Sequence, residues 1–213
     1  MNPGVIATVL AIVGVILLLT DWGKSLCGEI GISPKAFGIL LLAFLFATTK
    51  DVDTRFGSFN LGGMLFLLFV TTVSMYKSKR LTHSIYILSC VCTVASVELI
   101  LMTLVPYDPA MFLVDGKILY PFVACLISVI FMRSQLAAVT GGVAGIFTAS
   151  LLYPVIHFQM SAMQIVWADG DTRDLMASAA LGSVLLHYFL RTAFQFVRTR
   201  IMNSKESYER GTS

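Results

Sequence analysis

The sequence predicts an all-α fold, a single polytopic bundle of about seven transmembrane helices. Two observations predict it. The composition is 57% hydrophobic and only 13% charged, whereas a water-soluble domain carries about 25% charged residues. The apolar residues also gather in seven runs separated by short polar segments. A core this apolar in a chain of 213 residues leaves too little polar surface to face water, so the surrounding solvent must be lipid.

The seven runs are long enough, or nearly long enough, to cross a bilayer. A helix rises about 1.5 Å per residue, so about 20 apolar residues cross a hydrocarbon layer of roughly 30 Å. The runs 34–49, 61–76 and 118–132 are short and need tilted neighbours or a locally thin bilayer. Because 118–132 is the weakest of them, six spans are the alternative to seven. The predicted spans are residues 4–20, 34–49, 61–76, 81–105, 118–132, 136–156 and 175–190.

Residues typical of helix starts support two of these boundaries. Ser33 followed by Pro34 is an N-cap residue followed by the proline that favours the first helical position. Asp171 and Asp174 are placed as the capping residue and the N3 carboxylate of the seventh helix. After the last span, apolar residues keep helical spacing beside a basic face, which predicts that 191–213 is a basic amphipathic tail on the cytoplasmic surface.

The distribution of basic residues predicts the orientation of the chain. Cytoplasmic loops of membrane proteins carry an excess of lysine and arginine. With the N-terminus outside, eleven of the 15 lysines and arginines fall in cytoplasmic segments, so the chain is predicted to be N-out and C-in. The cations at headgroup depth would contact anionic lipids. These cations are Lys77, Lys79, Arg80, Arg191, Arg198 and Arg200.

Glu98 is the one carboxylate predicted to lie inside the membrane. It stands seven residues before the outer end of its run, roughly 10 Å deep at 1.5 Å per residue. A charge at that depth costs about 3 kcal/mol or more, so the side chain must be protonated or paired. Glu98 is therefore a candidate proton or cation site. The alternative is a neutral acid that is hydrogen-bonded to a neighbouring helix, for example to Tyr153.

Small residues recur along the sixth run and predict close helix packing. Ala137, Gly141, Gly145 and Ala149 are spaced by four and form a nearly bare face with an embedded GxxxG pattern, which lets another backbone approach closely. The seventh run offers two candidate partner pairs, Ser178 with Gly182 and Ala179 with Ser183. Such a face is either a homodimer contact or, as is commoner, ordinary packing within the bundle.

The sequence lacks the patterns of the familiar membrane enzymes. It contains no P-loop, dinucleotide fingerprint, HExxH or GxSxG motif, and no loop could house a catalytic domain. The four cysteines show neither CxxC nor Cys/His metal spacing. These observations predict a protein that is not an enzyme and has no metal, cofactor or nucleic-acid partner.

The beginning of the chain resembles a known family. Asp21–Trp22 and the segment ISPKAFGILLL, Ile32 to Leu42, are similar to the YphA-type membrane proteins of Gram-positive bacteria. The resemblance covers mainly the first fifty residues. It implies a location in a bacterial plasma membrane and a similar helical bundle, and it supplies no activity or site residue.

Together these features predict a multi-pass membrane protein without enzymatic activity. We expect an accessory or scaffold subunit that binds partner helices, or a second copy of itself, and lipids. The alternative is a small transporter or a proton- or cation-coupled channel that uses Glu98.

Overall fold

Seven helices of 14 residues or more make up most of the described chain. The computed structural model describes residues 3–20, 27–28, 32–54, 57–77, 81–104, 107, 115–156 and 166–211. The helices are α1 (Val5–Leu19), α2 (Pro34–Ala47), α3 (Leu61–Lys77), α4 (Leu81–Leu104), α5 (Gly116–Phe131), α6 (Gln135–Ile156) and α7 (Gly170–Gly211). Each predicted apolar run coincides with one helix, and α7 continues without a break into the predicted tail.

A small β-sheet, which the all-α prediction missed, joins the ends of several helices. Its strands are β1 (Asp51–Thr54), β2 (Gly57–Asn60) and β3 (Val166–Trp167). Strand β2 pairs antiparallel with β1 and parallel with β3. Two of the strands have four residues and the third has two, too short to show a strand period in the sequence. The sheet ties the connection between α2 and α3 to the start of α7.

Polar side chains close the helix ends beside this sheet. Asn60, which is 3% exposed, accepts hydrogen bonds from the backbone N–H groups of Gly62 (3.0 Å) and Gly63 (3.3 Å) and so caps α3. Its amide also donates to the Thr48 carbonyl at 3.1 Å, at the C-terminal end of α2. At the start of α2, the Ser33 hydroxyl accepts from the Ala36 N–H at 3.2 Å, as predicted.

The cap of α7 differs from the sequence prediction. Asp169 accepts from the Thr172 N–H at 2.8 Å, which makes Asp169 the capping residue instead of Asp171. Asp174 is turned away from its own helix and binds the N-terminus of α1. Asp171 forms an ion pair with Lys117 at 2.8 Å. The prediction for Asp171 and Asp174 was wrong because it considered only groups near in sequence.

The core of the bundle lies among the four C-terminal helices. Helices α4 and α6 share the most extensive contact, and α5 and α7 pack against both α6 and each other. The remaining helices surround this group, with α1 on α7, α3 on α6, and α2 between α1 and α3. Two clusters of buried apolar residues result, a large one in the four-helix core and a small one around Ala7, Ala11 and Phe44.

The odd-numbered helices all begin at one end of the bundle. There the start of α1 is bonded to α7 through Asp174, the start of α5 is bonded to α7 through Lys117 and Asp171, and Gly63 of α3 lies against Ala168. We call this the sheet end, since β1, β2 and β3 lie there. Three of the described helices are long and apolar enough to cross a membrane by length and composition, and α1, α2, α3 and α5 are shorter apolar helices.

Candidate functional site

Glu98 lies on a fully buried face of α4. Cys90, Val94 and Glu98 follow one another at steps of four residues, and each is 0% exposed. This spacing places the three side chains on one side of the helix. Tyr120 of α5 lies within electrostatic range of both Glu98 and Tyr153. The acid predicted to be intramembrane is therefore enclosed by protein in the four-helix core.

The carboxyl group of Glu98 lies near the backbone of Ala124 on α5 but makes no hydrogen bond of standard geometry with the described residues. The lack of such a bond holds for both of its oxygens, and it holds also for the buried hydroxyl of Ser183 on α7. The sequence suggests a hydrogen bond between Tyr153 and Glu98 as one alternative. Neither carboxyl oxygen of Glu98 forms it. Nearby on α5, the Ser128 hydroxyl donates to the Ala124 carbonyl one turn earlier, at 2.6 Å. An isolated buried carboxyl group is costly, and natural proteins retain such groups chiefly at functional sites.

The small-residue face of α6 packs against α4. A Cβ atom added at Gly141 would lie 2.6 Å from the Cys90 sulfur, and one added at Gly145 would overlap Val94. Four residues further along each helix lie Ala149 of α6 and Glu98 of α4, and neither has exposed surface. The two backbones can approach closely only because Gly141 and Gly145 of α6 lack side chains.

This arrangement differs from the pairing of the small-residue face with α7 that the sequence offered, although Ser183 of α7 does lie against Gly142 of α6, 3.6 Å from an added Cβ. Gly182 instead faces α5, since an added Cβ would lie 3.3 Å from the sulfur of Cys125, and Ser178 is half-buried on α7. Ala137 is 1% exposed, and the whole small-residue face is enclosed within the bundle. A second copy of the chain could not reach this face in the folded bundle.

The predicted headgroup cations lie on the surface where the structure describes their side chains. Lys77 ends α3 and Arg191 lies on α7, and both are exposed. Lys79 and Arg80 lie outside the described residues. Arg198 and Arg200 are part of the α7 backbone, and their side chains also lie outside the description. Among the described residues, no cluster of three histidine, cysteine or acidic side chains could hold a metal ion.

An apolar cavity of about 400 Å³ lies among five helices, on the side of α6 and α7 away from Glu98's helix. Helix α1 lines it from Ala7 to Leu18 and α7 lines it from Arg173 to Val184, while α2, α3 and the start of α6 complete the wall. Two pairs of aromatic rings join α2 to α3 in this wall. They are Phe37 with Phe69, at 6.1 Å between centroids, and Phe44 with Phe66, at 5.8 Å.

Arg173 is the charged residue in the cavity wall, and it stands at the sheet end. Its Nε–H donates to the Asp169 carbonyl at 3.4 Å and its Nη1–H donates to the Thr48 carbonyl at 3.3 Å. The other terminal nitrogen lies directly over Gly4, where an added Cβ would be 2.8 Å from it. The sequence does not single out Arg173, because its place beside the cavity depends on α1 and α2.

The fold and these buried sites define the class of the protein as a helical integral membrane protein. The family model described as YphA-like integral membrane protein matches residues 33–211, and the chain belongs to this family. The resemblance predicted from the sequence is thereby confirmed, and it extends far beyond the first fifty residues. No curated protein and no solved structure matches the chain.

Proposed function

We propose that all seven helices cross a bacterial plasma membrane, with the N-terminus outside and the C-terminus inside. The ion pair between Lys117 and Asp171 and the hydrogen bond between Gly4 and Asp174 support this count. They bring the starts of α1, α5 and α7 to the sheet end. Since consecutive helices must then run in alternating directions, α5 crosses the bundle like the others. Six spans would leave α5 and α7 starting on opposite sides.

The function that the geometry supports best is that of a non-enzymatic accessory or scaffold protein that binds lipid. The single observation that carries this proposal is the five-helix cavity, whose volume of about 400 Å³ falls in the range of roughly 300–1,000 Å³ typical of small-molecule sites. Its lining is almost wholly apolar, as lipid chains require. The exposed cations Lys77 and Arg191 support contact with anionic headgroups at the opposite end of the bundle.

Part of the cavity wall is open toward the surrounding lipid. Val13, Leu17 and Leu65 line the cavity, and each keeps about two-fifths of its surface exposed, at 42%, 41% and 42%. A lipid chain could therefore enter from the bilayer without passing through water. Partner helices would contact the outward apolar faces, such as that formed by Ile39 and Phe46, which are 69% and 76% exposed.

Filling the cavity tests the lipid-binding proposal. Ala180 lines the cavity on α7 and is half-buried, so Ala180→Phe would place a ring inside it. The matched control is Leu185→Phe on the same helix, since Leu185 is 58% exposed and faces away from the cavity. Native mass spectrometry after mild detergent extraction should find fewer retained lipids in A180F and an unchanged number in L185F. Equal retention in all three proteins would refute lipid binding in the cavity.

Proton or cation transport through Glu98 is the second candidate function. The specific observation in its favour is the complete burial of a carboxyl group whose two oxygens make no hydrogen bond of standard geometry with the described residues. A site that must take up and release a proton or ion cannot be fully satisfied by fixed bonds, whereas a structural acid gains from them.

Reconstituted vesicles distinguish transport from packing. If Glu98 carries protons or ions, Glu98→Gln should abolish flux driven by an imposed gradient while leaving the thermal unfolding of the protein unchanged. Cys92→Ser provides the control, because Cys92 is exposed on the same helix and should leave any flux intact. Absence of flux in the unsubstituted protein would exclude this second function.

A further inference from the structure

The guanidinium group of Arg173 has hydrogen-bond capacity to spare. Of its five N–H groups, one donates to the Asp169 carbonyl and one to the Thr48 carbonyl. The remaining three have no acceptor among the described residues. Both acceptors are neutral carbonyl groups, so they bind the guanidinium without cancelling its charge.

The carboxylates closest to Arg173 along the chain are already used by other groups. Asp174 accepts from the backbone of α1, Asp171 pairs with Lys117, and the Asp169 carboxylate accepts from Thr172. Ion pairs within the described residues do not include Arg173. The half-buried guanidinium beside the apolar space therefore keeps N–H donors that the described residues do not use, and phosphate oxygens are strong acceptors for such donors.

The length of the cavity matches one leaflet of a bilayer. From Ala7 to Leu18 on α1, and from Arg173 to Val184 on α7, the lining covers eleven steps along each helix. At 1.5 Å per residue this is about 16 Å, half of a hydrocarbon core of roughly 30 Å. Arg173 stands at one end of this length, where a headgroup would be, and the far end is lined by Leu18, Val184 and Gln135.

We propose that the cavity holds an acyl chain of an anionic phospholipid from the outer leaflet, with the lipid phosphate bound to Arg173. This assignment rests on the lipid-binding function proposed above and adds to it the class of lipid and the residue that selects it. The cavity's shape and its free donors identify the occupant, since an apolar channel of leaflet length that ends at a guanidinium with N–H groups unused by the described residues fits an acyl chain with a phosphate head. Arginine suits this role because its planar fork can bind two phosphate oxygens at once.

The backbone of Gly4 packs against the Arg173 guanidinium. Gly4 has a left-handed backbone, with φ at 85°, and the unbonded nitrogen of Arg173 lies over it. A second, smaller pocket adjoins the guanidinium on this side and is lined by Pro3, Gly4, Val5, Thr8, Val9, Thr48 and Arg173. A headgroup bound in this smaller pocket would lie at the sheet end, and the acyl chain of the same lipid would extend into the apolar cavity.

The test compares two lipids in vesicles of equal parts phosphatidylglycerol and phosphatidylcholine. The protein is reconstituted, extracted in mild detergent, and its retained lipids are identified by native mass spectrometry. The unsubstituted protein should retain more phosphatidylglycerol than phosphatidylcholine. Arg173→Gln should reduce this ratio about three-fold or more, as loss of a solvent-accessible ion pair implies, and Arg173→Lys should preserve most of it. Lys50→Gln is the control, because Lys50 is an exposed cation at the same end of the bundle and does not line the cavity; it should leave the ratio unchanged.

The outcomes separate this inference from the function on which it rests. If A180F loses bound lipid but R173Q keeps the ratio of the unsubstituted protein, the cavity binds lipid and the assignment of Arg173 is overturned. If A180F also retains all its lipid, the lipid-binding function itself fails. Arg173 also holds the Thr48 carbonyl, so if R173Q fails to fold, A180F decides: selective loss of phosphatidylglycerol supports the assignment, and equal loss of both lipids overturns it.

Discussion

The Asp174 carboxylate binds the first turn of α1, 170 positions earlier in the chain, where it accepts from the Gly4 N–H at 3.0 Å. Its second oxygen accepts from the Ala7 N–H at 2.8 Å. The N–H groups of a first helical turn have no partner within their own helix. A carboxylate supplied by α7 therefore satisfies two of them and places a negative charge at the positive end of the α1 dipole.

Replacing Asp174 by asparagine should destabilise the protein. Asparagine keeps one acceptor oxygen but turns an amide N–H₂ toward a backbone donor, so one of the two hydrogen bonds is lost in a buried site. We expect a loss of about 1–2 kcal/mol in the free energy of unfolding, as for other helix caps. Thermal unfolding in detergent measures the change.

Asp171→Asn is the matched control for this prediction. Asp171 lies three positions earlier, and its ion pair with Lys117 is partly exposed, at 47% and 37% of the two side chains. Exposed ion pairs contribute about 0–1 kcal/mol, so D171N should unfold close to the unsubstituted protein. If D174N were as stable as D171N, the contact between α7 and α1 would contribute nothing measurable.

The number and direction of the spans can be tested by cysteine labelling. In a variant without the four native cysteines, Lys50→Cys and Lys117→Cys should react in intact cells with a maleimide that cannot cross membranes. Lys77→Cys and Arg133→Cys should react only after permeabilisation. Reaction of both Lys117→Cys and Arg133→Cys on the same side would mean that α5 does not cross the membrane, and a fully reversed pattern would contradict the N-out orientation.

The close contact between α4 and α6 predicts a coupled effect of two substitutions. A methyl group at position 145 would overlap Val94, so Gly145→Ala should destabilise the bundle by about 1–3 kcal/mol, the usual cost of overpacking. The overlap includes the Val94 Cβ, which alanine would keep, so Val94→Gly is the second substitution, and the double variant should recover part of this loss. A double-mutant cycle in thermal or denaturant unfolding measures the coupling.

Gly38→Ala on α2 is the control for glycine replacement as such. An added Cβ at Gly38 would lie 3.7 Å from Leu18, an ordinary contact. Alanine is the better helix former by roughly 1 kcal/mol, so G38A should be as stable as the unsubstituted protein or slightly more so. Similar destabilisation in G38A and G145A, or additive effects in the cycle, would argue against close packing at Val94.

Much of the helical fold could be predicted from the sequence because lipid imposes a simple requirement. Every helix in a bilayer must be apolar over most of its length, and the seven runs therefore marked the helices. The same requirement hides the core, since residues that face lipid and residues that face protein are both apolar. In α1, Ala11 is 5% exposed while its neighbour Ile12 is 46% exposed, and hydrophobicity alone does not separate them.

The parts of the candidate sites that sequence reasoning found are those in which one residue is unusual by itself. Glu98 was recognised because a carboxylate inside an apolar run is costly wherever it points. The role of Arg173 was missed because it depends on Thr48 and Gly4, which are distant in sequence. The cap supplied by Asn60 could have been found, since asparagine before an apolar helix is a common N-cap.

Stability measurements on Glu98 variants provide a final prediction, which is independent of any transport assay. Neither oxygen of Glu98 makes a hydrogen bond of standard geometry with the described residues, so methionine, of similar length, should remove an unfavourable buried polar group at little cost in packing. We expect Glu98→Met to be at least as stable as the unsubstituted protein, by up to about 1–3 kcal/mol. Glu98→Ala should be less stable than Glu98→Met, because it leaves a cavity.

The comparison of Glu98→Met with Glu98→Gln separates a structural acid from a functional one. If the acid stabilises the core through hydrogen bonds, glutamine should preserve stability and methionine should lower it by about 1–3 kcal/mol. If its carboxyl group is unsatisfied, as the structure describes, methionine should match or exceed glutamine in thermal unfolding. If E98M is more stable than the unsubstituted protein, Glu98 lowers the stability of the fold. A residue that is kept despite such a loss of stability is expected to serve a function.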